Sequence, residues 1–315
     1  MNPVTLKELR GRMRGARAFV VLTVYLALLA GFALTLYVLY VASFDAGLHS
    51  GQNGAFGRTL FLGVLAIELF LITFIVPAFT AGAITGERER QTYDLLRTTL
   101  IKPRALVLGK LISALAYVFL LLLAAIPLQS LAFLFGGVGF EELALSFVVL
   151  LVTAVFIGTV GLFFSAGQRR TLGASVATYG IGLFITLGLP LMLLIFLAIV
   201  GPFVLGLTNA NPPLELRAVL TYVIGGLICT NPLAAGFVSQ ALLSDQGQIG
   251  FFTQTYSANG AVVTLPLVSP WIVFSLLYLI LSAVLLRATI RRVARIDTND
   301  DALTYLKKKD RGAQS

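Results

Sequence analysis

Long apolar stretches, each closed by charged residues, lay out this chain. Runs without Asp, Glu, Lys or Arg cover 18–44, 59–86 (interrupted only by Glu68), 111–140, 143–168, 171–214, 218–244 and 246–286. A membrane helix needs about 20 mostly apolar residues, so each run can hold one and several leave room for a loop. None alternates polar and apolar positions over about 10 residues with regular turns, which argues against a β-barrel. The pattern predicts an all-α polytopic membrane protein, with helices at about 18–42, 59–84, 106–135, 143–167, 172–200 and 269–287.

The run 218–243 is the weakest candidate, because Asn231-Pro232 lies at its centre. Proline removes a backbone donor and disfavours helix at the residue before it. The expectation is a re-entrant dip, which survives at membrane depth only when packed in protein or lining a cavity. Six crossings follow. A break at Pro190, making 172–207 a short hairpin, is the alternative and gives eight.

Charge then orients the helices. All but two of the 23 basic residues fall in the N-terminus (Lys7 to Arg17), in 87–110, at Arg169–Arg170 and in the tail from Arg287. The exceptions are Arg58 and Arg217. The positive-inside rule therefore places both termini, 87–110 and Arg169–Arg170 in the cytoplasm of a plasma-membrane protein. The segment 201–268 becomes external. Within it, Phe251–Tyr256 and Ala261–Leu267 flank Asn259-Gly260, a hairpin signal; an irregular loop is the other reading. At the start, Asn2-Pro3 and the spacing of Leu6, Leu9, Met13 and Ala16 predict an interfacial helix over 1–17. The 288–315 tail is too short and polar for a core of its own, and Lys307–Lys309 read either as a solvated tail or as a contact to anionic lipid.

Composition agrees and narrows the function classes. Of 315 residues, 58% are hydrophobic and 12% charged, about half the charge of an ordinary soluble domain. The mean hydropathy is +0.93. A soluble enzyme and a nucleic-acid-binding domain are thereby excluded, and the net charge of +9 reads as topology. The single histidine (His49) and single cysteine (Cys229) leave no pair for a metal centre, a disulfide or a nucleophilic triad. The phosphate-loop pattern G-x-x-x-x-G-K-[ST] fails at Arg104 and at Leu111, so the chain is expected to hydrolyse nothing itself. Gly158, Gly161, Gly180 and Gly182 offer close helix contacts, and Trp271 and Tyr256 offer interfacial anchors.

The segment between the second and third crossings carries the most specific pattern. It runs from Pro77 through Gly86-Glu87-Arg88-Glu89, Thr92, Tyr93, Leu96 and Arg97 to Pro103 and Gly109-Lys110. Gly86 suits a helix end, and Pro103 suits the next helix start. Tyr93, Leu96 and Leu100 give the charged piece between them an apolar face.

This segment resembles the first cytoplasmic loop of ABC-2 type transporter permeases. It departs from their pattern at Gln91, where the family often carries Gly, and at Leu100-Ile101-Lys102-Pro103. Ser165-Ala166-Gly167-Gln168-Arg169-Arg170-Thr171 is similar to their second cytoplasmic turn. The resemblance covers about residues 2–185, with the last crossing matched loosely. It implies the membrane subunit of an exporter, paired with a second permease subunit and with separate cytoplasmic ATPases. Those ATPases, not this chain, bind ATP and magnesium. The 87–101 piece is then the coupling helix, contributing Gly86, Glu87, Arg88, Glu89, Thr92, Tyr93, Leu96 and Arg97. Arg169 and Arg170 are the second contact. A lipid, drug or glycan-like substrate suits such an apolar pathway.

Glu68 is the one ionisable residue inside a predicted span. It lies ten residues after Arg58, so about 15 Å along the helix and near the bilayer middle. It is either a hydrogen-bonded structural acid or a polar point in the translocation path. The alternative function, an ATP-independent carrier or channel, rests on Glu68. A non-transporting membrane scaffold is the third class.

Overall fold

A computed structural model describes residues 16–45, 55–92, 102–204, 214–258 and 261–313. The chain runs through α1 (Ala16–Asp45), α2 (Ala55–Thr80), the short α3 (Thr85–Glu89), α4 (Pro103–Phe135), α5 (Phe140–Gly167) and α6 (Thr171–Leu183). A π-helical turn over Phe184–Gly188 leads into α7 (Leu189–Val204). Then come α8 (Leu214–Thr230), α9 (Pro232–Gln246), strands β1 (Phe251–Ala258) and β2 (Ala261–Val268), and α10 (Pro270–Ala313).

Among the described residues, six helical stretches are long and apolar enough to cross a membrane. They are Ala18–Ser43, Phe56–Glu89, Pro103–Phe135, Phe140–Gly167, Thr171–Pro202 and Pro270–Ala294. Each matches an expected crossing to within five residues at both ends, except that the last runs past its expected end at 287. The chain does not break at Pro190. Proline there cannot donate to the carbonyl four residues back, and the wider π turn just ahead of it absorbs the fault, with Leu189 N donating to Phe184 O. A hairpin at that point is therefore ruled out, and 171–202 is one continuous stretch.

Asn231 does break the chain. Between Glu215–Thr230 and Pro232–Ser244 the chain bends by 116°. Asn231 is extended, and its Oδ1 accepts from the backbone of Leu233 (3.0 Å) and Ala234 (3.3 Å), capping α9 where Pro232 ends the preceding helix. Further on, β1 and β2 pair antiparallel from Phe251↔Val268 to Ala258↔Ala261. The tip, 259–260, is outside the described residues. Trp271 of α10 holds the segment just before β1: its indole N–H donates to Ile249 O at 2.8 Å. The last helix does not stop near 287 but continues unbroken to Ala313.

The helix α5 is the hub of the bundle. It packs against α2, α4, α6, α9 and α10. Two thirds of its most apolar window is buried, against 17% for Ala18–Ser43 and for Thr171–Pro202 at the periphery. Lipid is as apolar as leucine, so close packing and polar contacts must hold such helices together. Small residues make the approach possible. A Cβ on Gly161 would overlap the Thr80 side chain and lie 3.3 Å from Ala81 N. One on Gly158 would touch Val76 of α2 and Leu111 of α4 at 3.4 Å. Gly182 faces Thr73 in the same way, whereas Gly180 faces open space.

The second crossing differs from expectation at its end. Its α-helix stops at Thr80, a turn covers Ala81–Ile84, and Gly86 lies inside α3 instead of closing the helix. The expected interfacial helix falls almost wholly on residues 1–15, outside the described residues.

Candidate functional site

The turn at Thr85–Glu89 joins the ends of three other helices. It starts where Ser165, one turn from the end of α5, accepts hydrogen bonds from Ile84 N (2.9 Å) and Thr85 N (3.1 Å) through its Oγ. Ser165 thus acts as the N-cap that α3 lacks in its own sequence. Three consecutive charged side chains then turn to three different helices.

Glu87 reaches α4. Lys110 Nζ donates to Glu87 Oε1 at 2.6 Å, with side chains only 3% and 23% exposed. The pair is part-buried, and removing Glu87 is the costly direction, because it leaves the buried Lys110 ammonium desolvated and without that carboxylate. Arg88 reaches the C-terminal end of α5. Its Nη1 donates to Ala166 O (3.2 Å) and Gln168 O (3.4 Å), where a cation complements carbonyls that have no helical partner. Arg292 of α10 reaches the same end, with its guanidinium 3.9 Å above the Phe163 ring. Glu89 reaches α6. Its Oε1 accepts from Thr171 N and its Oε2 from Thr171 Oγ1, both at 2.7 Å. The start of α6 has no side-chain cap at Arg170, and Glu89 supplies one from outside.

The turn closes with Gln91 and Thr92. Gln91 has φ +57, the one non-glycine residue with positive φ among those described. This is the position at which the resembled family often carries Gly, the residue that adopts this conformation most easily. Thr92 folds back, its N and Oγ1 donating to Glu87 O at 3.0 and 3.3 Å.

The expected coupling residues therefore divide. Glu87, Arg88 and Glu89 are brought together and spend their charges on the chain's own helices. Gly86 faces open space. Thr92, Arg169 and Arg170 are exposed at the same end. Tyr93, Leu96 and Arg97 lie outside the described residues. Lys110, Ser165 and Thr171 stood inside the quoted motifs without a role, and the geometry supplies one. Arg292 had no motif to point to it.

Glu68 forms a second polar point, within the bundle. It lies midway between Phe56 and Thr80 on α2 and is fully buried. Gln129 Nε2 of α4 donates to its Oε2. Among the described residues its Oε1 has no hydrogen-bond partner, and neither does the buried Tyr25 hydroxyl of α1. Helices α2 and α4 thus share a buried polar pair inside the bundle. The sequence displayed Gln129 as a polar residue just after Pro127, but nothing paired it with Glu68 across 61 positions.

Cys229 is a buried free thiol. Among the described residues no three His, Cys, Asp or Glu side chains form a metal-ligand group. No family model matches the chain, and no curated protein matches it.

Proposed function

We propose that this chain is the membrane-spanning permease subunit of an ATP-driven transporter of the ABC-2 type. It exports a lipid, drug or glycan-like substrate and works with a second permease subunit and separate cytoplasmic ATPases. ATP and magnesium belong to those partners, and this chain catalyses nothing. The protein sits in the plasma membrane with both termini in the cytoplasm, by the distribution of its basic residues. The bent pair at Asn231 then lies toward the outer leaflet as a re-entrant element, with the hairpin on the outer side.

One observation carries the reading. The segment that resembles the family's first cytoplasmic loop ends the second crossing in a short helix, and that helix grips α4, α5 and α6 at once. A chain without a phosphate site that moves a substrate uphill needs a mechanical input, and a rigid joint at a helix-end cluster is where one can be applied. The positive φ of Gln91 supports the same resemblance in backbone terms.

The test is purification from native membranes in mild detergent, with mass spectrometry of whatever co-purifies. A stoichiometric soluble ATPase with magnesium-dependent ATP hydrolysis is the expected result. A stable preparation without one refutes the assignment.

The Glu68 cluster favours a second reading, an ATP-independent carrier or channel, because buried membrane carboxylates are expensive and commonly functional. That reading expects gradient-driven flux in proteoliposomes holding this chain alone, abolished by Glu68→Gln.

A further inference from the structure

A loop reading Gly-Glu-Arg-Glu invites one simple picture, in which its charges face a cytoplasmic partner. The side chains are placed otherwise. Glu87 meets a lysine that is 3% exposed. Arg88 meets the last carbonyls of α5. Glu89 meets both the amide and the hydroxyl of Thr171. The bonds so made are not open to a partner, since each ionised oxygen or guanidinium hydrogen serves a limited set of directions, and the second oxygen of Glu87 and the second amino group of Arg88 are themselves buried.

We infer that Glu87, Arg88 and Glu89 are positioning residues of a transmission joint, with Glu89 committed to Thr171 at its exposed edge, and that docking falls to residues whose side chains make no such bond. The inference rests on the proposed function. The joint has the features that transmission needs. It is short, with five helical residues between Thr85 and Glu89. Both of its ends are fixed from outside, by Ser165 at the start and by Thr171 through Glu89 at the finish. Its middle is fixed to α4 by the Glu87–Lys110 pair. A push on the following segment therefore cannot be absorbed by a loose turn. It displaces the ends of α4, α5 and α6 together, and α5 is the helix on which most of the bundle packs. Arg90, Arg169 and Arg170 are exposed at this end and are left for the partner.

Charge exchange separates the two roles. If Glu87 serves Lys110, then E87K and K110E each break the pair and the E87K/K110E double variant restores it with the signs reversed. If Glu87 serves the ATPase, the exchange leaves the partner facing the wrong charge. The complex purified from native membranes is measured for ATPase retained per permease and for ATP hydrolysis per bound ATPase, well below the melting temperature. A merely structural role moves stability but not the second quantity.

The single variants are expected to retain the ATPase and to lose about tenfold in hydrolysis per bound ATPase, the equivalent of ~1.4 kcal/mol. The exchange variant is expected to recover most of it. Loss of ATPase from E87K that the exchange does not restore overturns the inference, as does unchanged hydrolysis per bound ATPase in both singles. Should the reversals fail to fold, the neutral cycle of E87Q, K110M and E87Q/K110M carries the same test. Non-additive losses support the joint, and additive losses overturn it. A wild-type preparation without any ATPase is a different failure, and it removes the functional reading itself.

Discussion

Glu68 and Gln129 provide the sharpest energetic test of the bundle. Their side chains are 0% and 4% exposed and meet through one hydrogen bond. Removing one partner leaves the other buried and unsatisfied. In soluble proteins that costs about 1–3 kcal/mol. Interhelical hydrogen bonds in membranes average only ~0.6 kcal/mol and reach about 1.7, because the unfolded helix in lipid also finds partners. The second range applies here, shifted upward because the pair is fully enclosed. Gln129→Leu is therefore expected to destabilise by about 1–2 kcal/mol. Glu68→Leu should cost no more, since it also removes an acid from an apolar layer. The double variant Glu68→Leu/Gln129→Leu leaves no orphaned partner and should fall within about 1 kcal/mol of the original protein. The expected coupling is then about 1–2 kcal/mol, inside the range found for contacting residues. The assay is reversible unfolding of the four proteins in mixed micelles of rising SDS fraction. Trp271, the single tryptophan, gives the signal. Additive destabilisation, with the double variant as weak as the two singles summed, refutes the pairing.

Three further outcomes follow from local geometry. Gly161→Val should destabilise by about 1–3 kcal/mol through overpacking against Thr80, while Gly180→Ala, which meets nothing within 4 Å, should change thermal stability by no more than about 0.5 kcal/mol; equal effects would refute the close approach of α2 and α5. Gln91→Gly should stabilise, since relief of about 1–2 kcal/mol of left-handed strain exceeds glycine's added chain entropy of about 0.5–1 kcal/mol, and Gln91→Val should do the reverse; a melting temperature lowered by the glycine would refute the positive φ. Asn231→Ala should cost about 1 kcal/mol as a lost cap and speed amide exchange at Leu233 and Ala234, with Asn231→Ser restoring most of both; unchanged exchange would show that the cap is not formed.

The number and rough limits of the apolar helices were legible in the sequence, because charge-free length is all that a crossing requires. The break at Asn231-Pro232 was equally legible, since a missing donor acts locally whatever surrounds it. The paired strands around 259–260 follow the same logic. Pro190 shows the limit of such local rules. The same missing donor was absorbed by a π turn, and only the neighbouring turns decided that.

The candidate site was half legible. Pro77, Gly86, Glu87-Arg88-Glu89 and Gly109-Lys110 marked the segment at which the helix ends gather, and Gln91 marked its odd position. Their letters did not reveal that Glu87 faces Lys110, or that Glu89 caps a helix 82 positions away.

What the sequence determined by itself was the set of elements that the solvent and the backbone dictate one segment at a time: the apolar lengths, the charged ends and the proline breaks. What only the tertiary structure decided was which element sits at the centre and which polar groups meet. Every crossing here is apolar all round, so no stripe on a helix names its buried face. Small residues on α5 settle the centre by allowing close approach, and Ser165, Lys110, Gln129 and Thr171 acquire their partners only when that approach is made. The physical reason is that a hydrogen bond or an ion pair depends on distances across helices, and those distances are set by how the helices pack.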